Sequence, residues 1–244
     1  MVRTTFELIR PDWPLPAGVQ VAFSTRRLLS GPVSAVPWDG ANLGLHVGDN
    51  AQQVRQHRIR LQQQLPAVRA IQWLDQVHGT ECRHACGNEI VLPADACWTA
   101  EPGLACAVMT ADCLPVLLVS ANGQQLAAIH AGWRGLAAGV LEQALTCFSG
   151  SVMAMLGPAI GPAAFEVGPE VRASFAGAPA SCFYRGHGDR YHANLHALAR
   201  WRLEQAGVER IFGEEWCTYR EATRFYSFRR DGQTGRQASL IWRE

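Results

Sequence analysis

The sequence predicts an α+β fold in which helices and mixed strands share one domain spanning residues 1–244. Apolar runs with a period of two residues occur along the chain beside segments with a helical period. The composition is 48% hydrophobic and 18% charged, which suits a globular chain that buries a sizeable core. No linker, internal repeat or low-complexity segment divides the chain. We therefore expect a single domain.

The first quarter of the chain predicts a strand, a long loop and a helix. The segment "GVQVAFSTR" (18–26) alternates apolar and polar residues and predicts a strand. Residues 27–48 form a loop rich in Gly, Pro and Ser that contains "NLGLHVG", and loops of this length are usually functional or mobile. Asp49 or Asn50 can cap the helix that follows. Its apolar face is predicted to carry Val54, His57, Leu61 and Leu65.

The middle of the chain predicts buried strands. "AIQWLDQVHG" is interpreted as a strand that ends at His78 and Gly79. Three apolar runs follow, and Asn122-Gly123 is a hairpin signal between the last two. The runs cover residues 104–110, 115–120 and 125–130.

The second half alternates helices and strands. A helix is predicted from about 136 to 148, and "VMAMLGPAIGP" predicts a buried strand followed by a rigid turn. "NLHALARWRLEQAG" predicts a helix that stops at Gly207. The C-terminal "RFYSFRRDGQTGRQASLIW" is interpreted as two strands joined by a turn containing Gly.

Charge and cysteine content limit the partners and the location. The net charge of +1 and the lack of a long apolar run give no indication of a nucleic-acid or membrane partner. The N-terminal "MVRTTFELIRPDWPLP" lacks the apolar region of a signal peptide, so we expect a cytoplasmic protein. In a reducing compartment the eight cysteines are expected to be thiols, mostly small buried residues, or metal ligands. The expected partners are small molecules, and the expected state is a monomer or weak homodimer.

Three residues follow or end predicted strands and form the candidate site. His78 and His130 each end a strand, and Cys113 lies at a strand break after Thr110-Ala111-Asp112. Two imidazoles and a thiolate suit zinc and leave a fourth position for water or substrate. Two other interpretations remain open: three separate core residues, or a Cys113 nucleophile with His130 or His78 as its base.

Other motifs are ambiguous. "GWRG" precedes a helix, where backbone N–H groups and Arg134 could hold an anion, although a glycine turn covered by its own arginine is the commoner outcome. In "ECRHAC", Cys82, His84 and Cys86 share a face, and we interpret them as buried thiols rather than metal ligands. The arginines near the C-terminus could bind anions, but a solvated surface is more common for Arg220, Arg224, Arg229, Arg230 and Arg236.

Five motifs resemble the bacterial YfiH family: "WLDQVHGT", "AVMTADCLPVLL", "AAIHAGWRGLAAGVL", "LGPAIGPAAFEVG" and "FRRDGQTGRQASLIW". The resemblance runs from about residue 10 to the C-terminus. Members, homologous to the human laccase-domain-containing protein, were long labelled polyphenol oxidases or laccases. They are now described as zinc-dependent purine nucleoside phosphorylases with adenosine deaminase side activity. The resemblance implies a layered sandwich of two mixed β-sheets with helices outside.

The resemblance also implies site residues. The family's zinc ligands match His78, Cys113 and His130, the set already selected from the strand ends. For phosphorolysis of adenosine, inosine or methylthioadenosine, we expect Arg26, Asn42 and Arg134 to contact substrate. For deamination, Asp112 is the candidate carboxylate that moves a proton, although a turn Asp is an equally good interpretation.

The chain departs from the family pattern in three places. The family's early loop is similar to "STR-x-GGVS…SLNLG", whereas this chain has "STRRLLSGPVSAVPWDGANLG". Asn194 stands where an Asp is expected, and Tyr226 where a Phe is usual. None of these positions belongs to the metal triad.

Two alternative enzyme functions remain beside the phosphorylase, together with one non-catalytic role. One is a cysteine hydrolase or amidase acting on cell-wall precursors, with Cys113 as the nucleophile. The other is a copper-dependent polyphenol oxidase, because copper exceeds zinc in intrinsic affinity and could occupy the His₂Cys set in vitro. A multicopper laccase needs many histidines, typically in H-x-H pairs, whereas this chain has eight His and no such pair. A non-catalytic ligand-binding protein using the same pocket is a further reading.

Overall fold

The computed structural model describes residues 5–87 and 91–244, and within them strands outnumber helices. The expectation about an N-terminal signal rests in part on residues 1–4, which lie outside this range. The strands are β1 (Thr5–Ile9), β2 (Val19–Ser30), β3 (Ala70–Gln72), β4 (Leu74–Asp75), β5 (Cys82–His84), β6 (Leu92–Pro93), β7 (Ala96–Thr99), β8 (Leu104–Thr110), β9 (Leu114–Ser120), β10 (Leu126–Ala131), β11 (Val152–Leu156), β12 (Glu166–Val167), β13 (Phe183–Arg185), β14 (Tyr191–Ala193), β15 (Arg210–Gly213) and β16 (Gln237–Arg243).

The helices are short, and none formed by the described residues is long and apolar enough to cross a membrane. Two of them begin at asparagine caps: Asn50, one of the two caps expected from the sequence, accepts from the backbone N–H of Gln53, and Asn194 accepts from that of Ala197. The helices are α1 (Ala51–Gln64), α2 (Trp133–Ala138), α3 (Val140–Leu145), α4 (Pro169–Ala173), α5 (Leu195–Gln205) and α6 (Phe228–Asp231).

Two mixed sheets form the centre of the molecule. One has the strand order β1-β2-β16-β8-β3, and the other has the order β15-β11-β9-β10-β7-β5. Each sheet combines antiparallel pairs with a parallel pair at one or both edges. Their facing sides enclose one core, which includes Phe23, Val108, Leu117 and Met155. The predicted α+β sandwich is therefore confirmed.

Helices cover the outer faces of both sheets. On the five-stranded sheet, Leu61 of α1 packs with Leu240 of β16. On the six-stranded sheet, Leu136 of α2, Leu141 of α3 and Leu198 of α5 pack over β9, β10 and β11. Because β8, β9 and β10 are buried on both faces, they are continuous apolar runs without alternation.

The hairpin predicted at Asn122-Gly123 is confirmed. Strands β9 and β10 pair antiparallel with Leu126 opposite Val119, and Gly123 has a φ of 71° that suits the turn. The preceding connection, residues 111–113, carries the chain from the five-stranded sheet to the six-stranded sheet. Cys113 therefore lies where the chain crosses between the layers.

The helix predicted from 136 to 148 is wrong in its bounds and in its continuity. It begins at Trp133, is interrupted at Gly139, and ends at Leu145. Gly139 has a φ of 99°, a left-handed conformation that glycine adopts readily and that closes α2 before α3 begins.

Two predicted strands are corrected near the site. The strand expected to reach His78 ends at Asp75. The Gln76 side chain takes the place of backbone hydrogen bonds to the neighbouring strand, because its Oε1 accepts from Met109 N (2.8 Å) and its Nε2 donates to Met109 O (2.7 Å). The first C-terminal strand is also absent, and the short helix α6 stands there with Ser227 Oγ accepting from Arg230 N.

Candidate metal centre and cavity

The three ligands selected from the sequence meet at one point. Donor atoms of His78, Cys113 and His130 all lie within 4.8 Å of one another. Cys113 Sγ is 3.8 Å from His78 Nε2. The two imidazoles meet edge to face with ring centroids 4.7 Å apart and an interplanar angle of 82°. Within the described residues, no other group of three His, Cys, Asp or Glu ligands comes together in this way.

The hairpin register explains why His130 and Cys113 are neighbours. His130 lies opposite Pro115, and Ala131 lies opposite Leu114, the first residue of β9. The end of β10 therefore reaches the crossover that carries Cys113. His78 arrives from a separate loop and has a φ of 62°, an uncommon conformation for a non-glycine residue.

Asp95 holds this loop and orients His130, and the sequence analysis missed it. Its Oδ1 accepts from His130 Nδ1 (2.7 Å) and from the backbone N–H of His78 (2.9 Å). Its Oδ2 accepts from the backbone N–H groups of Gly79 (2.6 Å) and Val77 (3.2 Å). Because Nδ1 donates to Asp95, the lone pair of His130 is on Nε2, which is the nitrogen left for a metal.

A sequence signal for Asp95 exists in the segment "PADACW". The carboxylate stands in a small apolar run between Ala94 and Ala96, and in the structure it is fully buried. Aspartate is almost never fully buried unless it is paired, so a charged residue inside an apolar run indicates a hidden partner. The sequence could not show that the partners come from residues 77–79 and 130.

The electrostatics of the centre favour a charged thiolate and imidazolium when no metal is bound. Burial raises the pKa of Cys113, but His130 and His78 outweigh burial and lower that pKa to about 6. Burial lowers the pKa of His130, but the Cys113 thiolate and the Asp95 carboxylate outweigh burial and raise that pKa to about 9. Burial also raises the pKa of Asp95, and the hydrogen bonds from His130 and Gly79 lower it below its ordinary value.

The space around the three ligands fits a metal ion. A Cβ on Gly132 would lie 2.9 Å from His78 Cδ2 and 3.1 Å from Cys113 Sγ, so only glycine lets the chain pass this close. The donor set contains two imidazoles and one thiolate, which zinc and copper both accept. The residues present therefore fit a bound metal.

The centre lies in the wall of a cavity of about 400 Å³, a size suited to a small organic ligand. One part of the wall is aromatic or apolar, and another part carries three arginines. The lining residues are His46, Gln76, His78, Met109, Thr110, Ala111, Asp112, Cys113, His130, Trp133, Arg134, Ile160, Phe165, Phe228, Arg229 and Arg236.

Arg134 lines the cavity, and the helix in which it lies is too short to form a strong anion site at its start. Its guanidinium stacks on Trp133 at 4.4 Å and is exposed. The helix begins before Gly135 and has only six residues, so its dipole is small. Gly135 instead allows close packing, since a Cβ there would lie 2.7 Å from the carbonyl oxygen of Gly79.

Arg26 and Asn42 do not line this cavity. Arg26 forms an ion pair with Asp39 (2.9 Å) and stacks on Tyr226, beside a separate surface depression. Asn42 is buried, and its Oδ1 accepts from the backbone N–H groups of Gly44 and Arg236. Both residues shape the loop that delivers His46 to the cavity, and we withdraw the expectation that they contact substrate.

Arg229 and Arg236 both line the cavity; Arg229 is exposed, as expected, whereas Arg236 is half-buried, which corrects its assignment to the solvated surface. Arg229 donates from Nη1 to the carbonyls of Glu166 (2.9 Å) and Ala164 (3.3 Å) and lies over the Phe165 ring. Arg236 donates from Nη1 to two backbone carbonyls, and burial lowers its pKa. Both belong to the C-terminal motif, so the signal was present, but nothing in the sequence showed which of its arginines face inward.

Asp112 lies beside Cys113 and joins two distant segments. Its Oδ1 accepts from the Thr218 hydroxyl (2.6 Å), and its Oδ2 accepts from the backbone N–H of Arg229 (2.6 Å). Its φ is 96°, so the chain turns sharply there. Asp112 is also the one carboxylate among the lining residues named above.

Two further groups in the cavity wall have features that favour ligand binding. The buried hydroxyl of Thr110 has no hydrogen-bond partner within the described residues, and buried polar groups normally find one. His46 has a lowered pKa, because burial and the nearby charges of Arg236 and Arg58 disfavour its protonated form. A polar ligand could satisfy both groups.

Among the described residues, the one group of metal-ligand candidates does not include the cysteines and histidine of "ECRHAC". One part of the prediction was wrong, since Cys86 is exposed rather than buried. All eight cysteines are free thiols.

Comparison with known proteins places this geometry in a family. Residues 20–244 match the model of the family described as multi-copper polyphenol oxidoreductase laccase. The chain is 50% identical over 244 residues to the purine nucleoside phosphorylases YfiH of Shigella flexneri and Escherichia coli (strain K12), covering 97% of this chain and 98% of each relative. The crystal structure of Neisseria meningitidis protein NMB0706 superposes with a TM-score of 0.91 at 42% identity, covering 97% of this chain and 99% of that one.

These matches cover nearly the whole chain at high identity. The fold, the three-ligand centre and the comparisons all indicate the same family. The chain belongs to the YfiH family, whose model carries the description multi-copper polyphenol oxidoreductase laccase.

Proposed function

We propose that this protein is a zinc-dependent purine nucleoside phosphorylase with adenosine deaminase side activity. It uses phosphate to convert adenosine, inosine or methylthioadenosine to the free base and a ribose 1-phosphate. The observation that carries the proposal is the His78–Cys113–His130 donor set in the wall of a nucleoside-sized cavity lined by three arginines. The names of the 50% identical relatives support the same reaction class.

The zinc would be held by His78 Nε2, Cys113 Sγ and His130 Nε2. When bound, it supplies a Lewis acid that stabilises negative charge developing beside it. Asp95 keeps the His130 lone pair on Nε2, and Gly132 leaves the space that the ligands need. The remaining steps depend on the chain's own residues.

The three arginines are suited to hold phosphate for attack on ribose C1′. Arg134, Arg229 and Arg236 can each offer N–H donors to phosphate oxygens, and among the described residues no ion pair joins them to a carboxylate. The aromatic part of the wall, with Trp133, Phe165 and Phe228, offers flat apolar surface for a purine. Holding both reactants in one cavity lowers the entropic part of the barrier.

For the deaminase side activity, Asp112 is the candidate proton carrier. It lies next to Cys113 in the chain and is held by Thr218 and Arg229. Deamination at C6 of adenine needs a carboxylate that takes a proton from the attacking water and gives it to the leaving amine. We assign this role to the Asp112 carboxylate.

A second candidate function is a cysteine hydrolase or amidase acting on cell-wall precursors. The observation that favours it is the series Cys113, His130 and Asp95, a thiol, an imidazole and a carboxylate in contact. In the absence of metal, the pKa of about 6 for Cys113 would make it a nucleophilic thiolate. Zinc would occupy the same sulfur, so the two functions exclude each other.

The remaining expectations follow from the same proposal. The partners are a purine nucleoside and phosphate, with no role for nucleic acid or membrane, because the net charge is only +1. We keep the cytoplasm as the expected location and a monomer or weak homodimer as the expected state.

The test combines metal analysis with product analysis on one preparation. Zinc per chain is measured, and the protein is then incubated with adenosine in the presence and absence of phosphate. We expect about one zinc per chain, with adenine and ribose 1-phosphate formed only with phosphate and inosine as a minor product. Cys113→Ala should lose zinc and at least roughly 100-fold in kcat/KM, because a ligand is removed.

Cys86→Ala is the matched control, because Cys86 is an exposed thiol away from the cavity. A metal-free protein with full phosphorolysis would contradict the proposal. A metal-free protein that cleaves amides or esters, and that iodoacetamide inactivates, would establish the hydrolase instead. Nucleoside binding without turnover would indicate a binding protein.

A further inference from the structure

A second group of thiols lies away from the metal centre. Cys147 follows α3, and Cys82 begins β5, 65 residues earlier in the chain, yet their sulfur atoms are 3.8 Å apart. Both residues are half-buried, so part of each is open to solvent. No metal-ligand group includes them within the described residues.

The backbones on both sides are anchored, so only the side chains need to move. Cys82 lies opposite Ala96 in the pairing of β5 with β7. Cys147 donates from its N–H to Ala144 O (3.1 Å), and its carbonyl accepts from Gln125 Nε2 (2.8 Å). A disulfide bond needs the sulfurs to approach to about 2.05 Å, a movement that side-chain rotation can supply.

The other cysteines lack this combination of contact and access. Cys97 and Cys106 contact each other but are fully buried between the sheets. Cys86 is exposed but points its Sγ at the His84 carbonyl (3.5 Å). Cys182 and Cys217 are buried, and Cys113 belongs to the metal centre.

We propose that Cys82 and Cys147 are an oxidation site, where a peroxide converts the two thiols to a reversible intramolecular disulfide. The Cys147 thiolate attacks one peroxide oxygen, the O–O bond breaks, and Cys147 becomes a sulfenic acid, while the hydroxide that leaves takes up the proton released by Cys147 and becomes the first water. The Cys82 sulfur then attacks the Cys147 sulfur, and the S–O bond breaks as water leaves with the Cys82 proton. Two thiols are oxidised to one disulfide, and hydrogen peroxide is reduced to two waters.

The surroundings favour this order of attack. Burial and the neighbouring Cys147 raise the pKa of Cys82 well above its ordinary value, so Cys82 is rarely a thiolate. Cys82 is therefore the less reactive thiol toward peroxide, and its 3.8 Å contact with the Cys147 sulfur assigns it to the second step.

The disulfide would connect two segments that border the metal centre. Residues 78–82 lead from His78 into β5, and Glu81 O accepts from the backbone N–H groups of Asp95 (3.1 Å) and Ala96 (3.0 Å). Residues 132–147 carry Gly132, α2 and α3. The bond closes a loop of 65 residues, so the oxidised protein is expected to be more stable to heat than the reduced protein.

The test treats the zinc-loaded protein with hydrogen peroxide, blocks remaining thiols with N-ethylmaleimide, and maps peptides by mass spectrometry. We expect a peptide pair joined through Cys82 and Cys147, with the loss of two hydrogen atoms, that dithiothreitol separates. The Tm should rise by roughly 5–15 °C on oxidation and return on reduction.

Two variants separate this site from general oxidation. Cys147→Ala should abolish both the cross-link and the Tm shift, and Cys86→Ala should retain both. The peptide map of the wild-type protein tests the proposal by itself, so the test does not depend on whether either variant folds. Peroxide that modifies Cys113 or Cys86 while Cys82 and Cys147 both remain open to N-ethylmaleimide would overturn the proposal, as would a bond from Cys82 to Cys97.

Discussion

Asp95 connects three parts of the site through one carboxylate. It accepts hydrogen bonds from the loop of residues 77–79 and from the ring of His130, and it is fully buried. A carboxylate can accept all four of these bonds, whereas an amide has one acceptor oxygen and an NH₂ group that must itself donate. The site therefore depends on this residue type at this position.

Asp95→Asn is expected to weaken zinc binding by about 10–100-fold, because His130 loses the partner that selects its tautomer. The free energy of unfolding should fall by about 1–3 kcal/mol, since N–H groups of the 77–79 loop lose a buried acceptor. Competition with a chelating dye measures the first quantity, and urea denaturation measures the second.

Asp189→Asn is the control, because Asp189 is exposed in a loop away from the cavity. Unchanged zinc affinity in Asp95→Asn would show that His130 keeps its orientation without the carboxylate.

The pKa values of Cys113 and His130 predict how many protons zinc displaces. Between about pH 6 and pH 9 the metal-free pair holds one proton, placed on His130 while Cys113 is a thiolate. Zinc needs both groups unprotonated, so at pH 7 its binding should release about one proton. The affinity should therefore rise about tenfold per pH unit across this window and level off above about pH 9.

Isothermal titration calorimetry at pH 7, in buffers that differ in ionisation enthalpy, counts the released protons. A count near zero would mean that His130 is neutral in the metal-free protein. A count near two would mean that Cys113 is also protonated there.

At the scale of elements, the join between β10 and α2 decides whether the metal centre can form. Gly132 is the N-cap of α2 and has φ −62° and ψ 155°, which an alanine also adopts without strain. The obstacle to a larger residue is therefore contact with His78 and Cys113, and not backbone conformation.

Gly132→Ala is expected to fold but to lose zinc affinity by at least about tenfold, because the methyl group displaces two ligands at once. Zinc content after dialysis and far-UV circular dichroism measure the two properties. Gly79→Ala is the matched control, since its Cβ would meet Asp95 Oδ2 at an ordinary 3.5 Å. Normal zinc content in Gly132→Ala would contradict the assignment of the centre to these three ligands.

The early loop, which departs from the family pattern, is in contact with Tyr226. The Tyr226 ring is buried under that loop, and its hydroxyl donates to Trp38 O (3.1 Å) with Asp39 O at 3.2 Å. A phenylalanine there could not hold the loop in this way. The same ring also carries the Arg26 guanidinium on its face, 4.8 Å from the ring centroid.

Asn194 is a conservative departure. It caps α5 by accepting from Ala197 N at 3.1 Å, and asparagine and aspartate are comparable in this position. The helix therefore starts where the pattern predicts.

At the scale of the whole molecule, the number of metal sites bears on the laccase description of the family. The chain has eight histidines, and the described residues bring only two of them together with a cysteine. A single His₂Cys set lacks the trinuclear cluster that a multicopper oxidase needs.

Copper added to the zinc-loaded protein is expected to displace zinc and to bind at about one ion per chain, because copper has the higher intrinsic affinity. Phosphorolysis should fall as copper replaces zinc, and phenol oxidation should stay slow. Metal analysis and electron paramagnetic resonance measure the stoichiometry. Several coppers per chain with rapid oxidation of phenols would support the laccase description instead.

The elements that sequence alone predicted were those with a local cause. The apolar runs of β8, β9 and β10 are continuous because both faces of these strands are buried. Asn122-Gly123 favours a tight turn by its own backbone preferences, and this turn connects β9 and β10 in a hairpin. His78, Cys113 and His130 were identified because each lies at or just beyond a predicted strand end. Periodicity and turn chemistry are properties of neighbouring residues, so they can be observed without a structure.

Tertiary structure alone decided which distant segments meet. The strand before His78 ends early because Gln76 bonds to Met109, and the helix after His130 breaks because Gly139 adopts a left-handed conformation. Asp95, Arg229 and Arg236 join the site from segments far apart in the chain. A buried carboxylate and an inward arginine owe their roles to partners brought by the packing of two sheets, and no local pattern encodes those partners.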